Sequence, residues 1–328
     1  MLKYQSKILL NLFILLCFLA IGIKDVRASN EVLGMHILQP EELKHVRMIF
    51  EDDEWRYTTI PLATSDTQNW QRWQKFFDEA YRLKLIPIIR LATSYDSEQQ
   101  HWTIPTRKEI VNLVAFLSSL NWHQKEKLVV VFNEVNHAQE WGGRIDPLAY
   151  TQVLKFTSNW LRSEGLNYKV LPAALDLATA NIFPTMEAFS YLETMLRVDP
   201  EIFTYIDYWN SHSYPNPNFS ASPKTNGQNS LRGFIYELNF LKNKTGLDFQ
   251  TFITETGWKS SYMINFYLSD YYAYALKNIW SDERVVAVTP FVLKGDPGPF
   301  AQFGFVDASD LPTIQASALK KALKKISP

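Results

Sequence analysis

Two glutamates stand apart from the other acidic side chains because of what surrounds them. Glu134 closes the run Leu128-Val129-Val130-Val131-Phe132-Asn133-Glu134, and Glu255 sits within Phe252-Ile253-Thr254-Glu255-Thr256-Gly257-Trp258. A third polar cluster reads Trp209-Asn210-Ser211-His212-Ser213-Tyr214-Pro215. Two carboxyl groups facing each other across a cleft can cleave a glycosidic bond. One, protonated, assists the departing sugar oxygen; the other, ionised, attacks the anomeric carbon or activates water. Configuration is retained when the two carboxyl groups stand about 5–5.5 Å apart and inverted at about 6.5–9.5 Å. Either glutamate alone would read as a solvated carboxylate at a strand end. Together, each after an apolar run, they point to function.

Other chemistries lack their residues. The 328-residue chain has 33 basic and 34 acidic side chains, so its charge offers nothing to a nucleic acid. Glycine is scarce, and neither GxGxxG nor GxxxxGK[ST] occurs. No GxSxG elbow is present for a serine hydrolase. The six histidines form no HxH or HxxxH pair and have one cysteine, Cys17, to join them, so neither a transition-metal site nor a cofactor is expected. The acidic run Glu51-Asp52-Asp53-Glu54 lacks the glycine and ligand spacing of a calcium loop and reads as solvated.

The positioning elements follow from periodicity. Eight β-branched or apolar runs recur: 33–38, 56–62, 85–93, 127–134, 169–176, 206–214, 248–258 and 285–293. Several are continuously apolar, as parallel strands buried on both faces are. Helical patterns lie between them. Trp70, Trp73, Phe76, Phe77 and Ala80 share one face, with Trp70, Trp73 and Trp160 expected in the core. Thr106 and Glu109 form a capping box, and Asp146-Pro147 starts another helix that Gly165 ends. Residues 271–280 and 314–325 are two more; 40–50 looks helical, although 45–50 also suits a strand. Eight strands alternating with helices, without a glycine-rich first turn, predict an α/β single-domain (β/α)₈ TIM barrel over residues 29–328, with a doubly wound sheet as the alternative. A barrel puts its active site at the C-terminal strand ends, so Glu134 on strand 4 and Glu255 on strand 7 would share one mouth.

Residues 1–28 read as a signal peptide: Lys3 and Lys7, then apolar Ile8 to Ile23, then Val26-Arg27-Ala28 with cleavage after Ala28. An uncleaved N-terminal anchor is the other reading, and a membrane is a partner only in that case. The expected location is secreted or cell-envelope. Removal of Lys3, Lys7, Cys17, Lys24, Asp25 and Arg27 would leave a net charge of −4 and no thiol, hence no disulfide.

On Phe132-Asn133-Glu134, His212-Ser213-Tyr214 and Thr254-Glu255-Thr256-Gly257, the chain resembles the clan A glycoside hydrolases, retaining (β/α)₈ enzymes, over its whole mature length. It looks most like family 39 and the related endoglycosidases of bacterial exopolysaccharide systems, with family 5 close behind. The resemblance implies Glu134 as acid/base and Glu255 as nucleophile. It implies that Asn133 hydrogen-bonds the sugar 2-hydroxyl, that Tyr214 hydrogen-bonds the nucleophile, and that His212 either orients the acid/base or contacts sugar. Two departures matter. Many clan A enzymes carry a tryptophan at the end of strand 8, where this chain has Phe291; Trp258 or Trp141 could supply the platform instead. Many also carry an arginine on strand 2, where Arg56 sits at the wrong end, leaving Arg90 to supply the charge; a buried Arg90 needs a carboxylate partner and is either functional or paired with Glu255.

Sugars present apolar faces rimmed by hydroxyls, so Trp141, Trp209, Trp258 and Phe291 are platform candidates, each with ordinary burial as its alternative. Asn136, His137 and Glu140 follow the acid/base on a loop and either touch substrate or hold the loop; His36 reads as a core histidine near the mouth. Residues 214–228 and 295–299 read as loops over the cleft. The expected function is a secreted retaining hydrolase of a β-linked poly- or oligosaccharide, acting as a monomer; a carbohydrate-binding barrel without catalysis is the rival.

Overall fold

The computed structural model describes residues 32–165, 167–295 and 298–326. The signal-peptide expectation for residues 1–28 lies outside these. Eight parallel strands alternate with eight main helices: β1 (Met35–His36), α1 (Leu43–Ile49), β2 (Arg56–Ala63), α2 (Trp70–Arg82), β3 (Leu85–Ala92), α3 (Arg107–Ser119), β4 (Lys127–Val131), α4 (Pro147–Glu164), β5 (Tyr168–Pro172), α5 (Ala188–Val198), β6 (Trp209–Ser211), α6 (Gly233–Thr245), β7 (Thr251–Ile253), α7 (Leu268–Asn278), β8 (Val285–Val288) and α8 (Ile314–Ile326). A two-residue hairpin, Tyr95–Asp96 with His101–Trp102, extends from the end of β3.

Strands β1 to β5 form one ladder and β6 to β8 another, all in parallel register. Two short seams join them into a barrel. At one, Leu33 bridges Val288 and Gly34 N donates to Val288 O at 2.7 Å. At the other, Asp176 bridges His212 and Asp207 N donates to Val170 O at 2.9 Å.

Alternation along the strands sorts the side chains. Ile88, Leu128, Val130, Leu171 and Phe252 form one cluster in the barrel interior. Their neighbours Ile89, Val129, Val131, Val170 and Ile253 pack outward in the helix layer. Local signals hold where expected. Thr106 Oγ1 accepts from Glu109 N at 3.2 Å while Glu109 Oε2 accepts from Thr106 N at 2.8 Å. Asp146 Oδ1 accepts from Ala149 N at 2.9 Å with Pro147 at the first helical position. Residues 43–49 are helix, so the strand alternative at 45–50 falls.

Three features differ from expectation. Trp70 is exposed rather than in the core, while Trp73 is fully buried and Trp160 half-buried. Helix α5, which is not among the expected helices, has a clear buried stripe, Ala188, Tyr191, Leu192 and Met195. Helix α6 has a buried face interrupted by the carboxyl of Glu237, which blurs its period. Among the described residues no helix is long and apolar enough to cross a membrane.

Candidate active site

Three strand ends build the site in different ways. On β4 the inward positions are Leu128 and Val130, and the alternation then breaks. Phe132 and Glu134 take φ values of 71° and 33°, a left-handed region that bulky residues rarely adopt. The break sends Phe132 outward against Trp141, ring centroids 5.9 Å apart, and turns Asn133 and Glu134 toward the mouth. Strained backbone of this kind persists where the surrounding structure over-determines it, commonly at functional sites.

After β6 simple alternation does the work. Asn210, His212 and Tyr214 face inward. Ser211 and Ser213 face α6, where Ser211 Oγ donates to Glu237 Oε2 at 2.5 Å and Ser213 Oγ accepts from Phe234 N at 2.8 Å. After β7, Thr254 faces inward and Glu255 follows at the mouth. Gly257 then takes φ 128°, and the chain leaves the barrel, carrying Trp258 into the helix layer.

These turns bring the predicted groups together. Arg90, on the inward face near the end of β3, donates from one guanidinium nitrogen to Glu255 Oε1 at 2.5 Å and to Asn133 Oδ1 at 2.7 Å. The Tyr214 hydroxyl donates to Glu255 Oε2 at 3.1 Å. His212 Nδ1 stands 2.8 Å from Glu134 Oε1 and 3.8 Å from Glu255 Oε2. One oxygen of each glutamate and a nitrogen of His212 all lie within 4.8 Å of one another. The cation already seated on Glu255 is the Arg90 guanidinium.

Electrostatics hold Glu255 ionised. Burial alone would raise the Glu255 pKa, but the charges of His212 and Arg90 outweigh it and hold the carboxyl at about 2. The Tyr214 hydroxyl adds to this by donating to the ionised form. Burial, followed by the charge of Glu255, pushes the Tyr214 hydroxyl well above its ordinary range, so it stays a donor. His36 is buried, with Nδ1 3.0 Å from Thr254 O and 3.9 Å from Glu255 Oε1. Burial, only partly offset by Glu255, lowers its pKa to about 4, leaving it neutral.

Glu140 enters the site through Asn133, whose Nδ2 donates to Glu140 Oε2 at 3.2 Å. Arg90 on one side and Glu140 on the other therefore fix the Asn133 amide. Burial and the charge of Glu134 raise the Glu140 pKa to about 7. His137 Nε2 pairs with Asp176 Oδ2 at 2.9 Å across the loops after β4 and β5.

Other candidates lie away from the cleft. Trp141 is fully buried between Phe132 and Tyr150, and Trp258 is 1% exposed against Tyr272 at 5.1 Å between ring centroids. Trp209 is fully buried against Phe203. A buried ring has no free face to offer a sugar, so none of the three is a platform in this conformation. Asn136 is also fully buried; its Nδ2 donates to Asp176 O at 2.9 Å and Met186 O at 3.0 Å, which ties the β4 and β5 loops together. Phe291 does lie beside the site, its ring 5.2 Å from that of His36, and it contacts Phe300 at the exposed rim. Arg56 is buried at the opposite end of the barrel and ion-paired with Asp52. The inward residues Asn210 and Thr254 carry no motif of their own, and strand parity was the signal that could have found them.

No protein-family model matches the chain. No curated protein matches it either. Solved structures do. A family 39 glycoside hydrolase from the gut symbiont Bacteroides cellulosilyticus WH2 superposes with a TM-score of 0.60 at 15% identity, covering 90% of this chain and 65% of that one. This chain thus spans just under two thirds of that protein. An endo-beta-1,4-glucanase from Xanthomonas axonopodis pv. citri, a triple mutant, gives 0.58 at 14% identity, covering 90% and 99%. A mutant form of Thermotoga maritima Cel5A with cellobiose gives 0.55 at 13% identity, covering 91% and 99%. At such identities the likeness is one of fold, and the chain has the (β/α)₈ barrel fold of the clan A glycoside hydrolases.

Proposed function

We propose that the chain is an exported retaining glycoside hydrolase acting on a β-linked poly- or oligosaccharide, with Glu134 as acid/base and Glu255 as nucleophile. The observation that carries this reading is the approach of the two carboxyl groups. Oxygens of Glu134 and Glu255 lie within 4.8 Å of each other, which suits the retaining spacing of about 5–5.5 Å and falls short of the about 6.5–9.5 Å of inverting enzymes.

In the first step Glu255 attacks the anomeric carbon while Glu134 gives its proton to the leaving oxygen, forming a glycosyl ester on Glu255. In the second, Glu134 takes a proton from water as that water displaces Glu255. Arg90 and Tyr214 keep the nucleophile ionised before attack. Asn133, its amide fixed from both sides, has one N–H left for the sugar 2-hydroxyl. The export reading rests on the composition of residues 1–28.

The test incubates residues 29–328 with β-glucans, xylans, mannans and bacterial exopolysaccharides and measures reducing ends beside a Glu255→Ala control. The β-1,4-glucans belong in the panel because a structural neighbour is an endo-beta-1,4-glucanase. Release by the wild type alone supports the proposal and names the polymer class. Tight binding of one polymer without release would favour the non-catalytic binder.

A further inference from the structure

Behind the two glutamates, the inner wall of the barrel holds a chain of hydrogen bonds whose directions are all forced. It begins at Pro172 O, which accepts from Asn210 Nδ2 at 3.1 Å. A carbonyl can only accept, so the Asn210 amide cannot be turned over, and its Oδ1 faces Thr254. Thr254 has one hydroxyl proton and gives it to Asn210 Oδ1 at 2.7 Å. At the next contact, 3.2 Å between Thr254 Oγ1 and His212 Nε2, the threonine has only lone pairs left to offer. His212 must therefore carry a proton on Nε2. Its other nitrogen, Nδ1, is left facing Glu134 Oε1 at 2.8 Å.

We infer that Asn210 and Thr254 are positioning residues that fix the His212 tautomer, so that one proton occupies the contact between His212 Nδ1 and Glu134 Oε1 and the other oxygen of Glu134 exchanges protons with substrate. The inference rests on the reading of Glu134 as the acid/base and adds how that residue is kept ready. With Nε2–H fixed and no proton on Glu134 Oε2, the pair has two forms of equal proton count. Either an imidazolium donates to the Glu134 carboxylate, or a neutral ring accepts from the Glu134 carboxylic acid. A ring protonated only on Nδ1 would set two lone pairs against each other at Thr254. Glu134 is the acid when it carries a further proton on Oε2; when that proton passes to the glycosidic oxygen, the new negative charge meets the imidazolium, and the attacking water of the second step returns a proton to Oε2. The Nδ1–H bond is not broken in that step, so no further proton donor is required.

The charged and titratable groups around His212 come from every side: Glu134 after β4, Glu255 after β7, Arg90 on β3, His36 on β1, Asp176 after β5, Glu237 on α6 and Tyr214 on its own segment. Burial opposes the imidazolium, and Glu255 and Glu134 outweigh burial and raise the His212 pKa. Thr254 supplies the only neutral acceptor for its second N–H among the described residues.

The test reads the ring directly and needs no substrate. Residues 29–328, which contain the whole barrel, are labelled with ¹⁵N-histidine, and the ring nitrogen shifts are followed against pH. With six histidines in the full sequence, the His212 signals are identified by their loss in His212→Asn. Wild-type His212 should show Nε2 protonated throughout its titration. In Thr254→Val the ring should lose its imidazolium proton about one pH unit lower, the scale of one lost hydrogen bond, with Thr254→Ser restoring the wild-type midpoint. A wild-type ring with bare Nε2 overturns the inference, as does a Thr254→Val titration identical to wild type. Should Thr254→Val fail to fold, the wild-type tautomer decides alone. Absence of turnover on every polymer would count against the glycosidase reading and leave this result intact.

Discussion

Arg90 and Glu255 are 165 residues apart in sequence and joined at 2.5 Å in the barrel mouth, one at the end of β3 and the other beyond β7. The same guanidinium nitrogen also donates to Asn133 Oδ1 at 2.7 Å, so a single cation both holds Glu255 ionised and orients the side chain beside Glu134. The position follows from parity. Ile86, Ile88 and Arg90 lie two residues apart on β3, which puts Arg90 on the inward face near the end of the strand.

This relationship predicts the acid limb of the pH profile. The depressed Glu255 pKa means that its contribution to stability is present above the unfolded value of 4.5 and is lost as pH falls toward about 2. Arg90→Gln removes a cation from a buried pair, so both the acid unfolding transition and the acid limb of kcat/KM should move to higher pH. The shift expected is about 1–2 units. Arg90→Lys should recover part of it, since a point charge cannot serve Glu255 and Asn133 with the same geometry. An unmoved acid limb in Arg90→Gln would show that Glu255 is not the group Arg90 controls.

A small external nucleophile can separate the jobs of the two glutamates. Loss of either carboxyl should lower kcat on an unactivated polymer by on the order of 10³-fold or more. With an activated aryl glycoside and added azide, Glu255→Ala should yield the azide of inverted configuration, because azide then takes the place of the protein nucleophile. Glu134→Ala should yield the azide of retained configuration, because Glu255 still forms the ester. Product configuration read by NMR decides the assignment, and the opposite pattern would exchange the two roles.

Much of this site was legible because period-two alternation survives to the ends of β6 and β7. Asn210, His212 and Tyr214 fall on one face by counting alone, and Thr254 shares the interior with Phe252. Counting fails where the backbone turns. The left-handed residues Phe132 and Glu134 reverse the facing of everything after Val131, so Trp141, placed by sequence near substrate, packs under Phe132 instead. Gly257 does the same for Trp258. The Glu140 link to Asn133 depends on the path of a loop, for which sequence has no period to read.

Those tryptophans give a prediction opposite to that of a sugar platform. Trp141→Ala and Trp258→Ala each empty a buried site and should destabilise the fold by about 3–5 kcal/mol. The milder Trp141→Phe and Trp258→Phe should fold, with KM for the responding polymer unchanged. A KM rise of tenfold in either phenylalanine variant, without loss of stability, would put that ring back in the cleft.

Glu140 titrates near neutrality. Burial and the neighbouring Glu134 raise its pKa to about 7, so its charge, and the strength of the bond it accepts from Asn133, change near neutrality. The wild-type kcat/KM profile should carry an inflection near that pH, and Glu140→Gln, which keeps an acceptor for Asn133 without the titration, should lack it. An inflection that persists in Glu140→Gln belongs to another group.

Glu237 offers the corresponding test of stability away from the cleft. Its carboxyl is fully buried on α6, accepts from Ser211 Oγ, and has a pKa raised by burial from 4.5 to about 7. A raised acid favours the folded state when protonated. The stabilisation is complete below the unfolded pKa of 4.5 and is lost as pH rises through about 7. The difference between the two values corresponds to about 3 kcal/mol at alkaline pH. Glu237→Gln keeps the shape and the acceptor for Ser211 without the charge. It should lower denaturant stability at pH 4 by at most about 2 kcal/mol, the cost of an amide N–H left without a partner, and raise it at pH 8 by about 1–3 kcal/mol. Equal stability of the two proteins at both pH values would mean that the folded state already hydrates this carboxylate, and that the α6 face opens more readily than its packing implies.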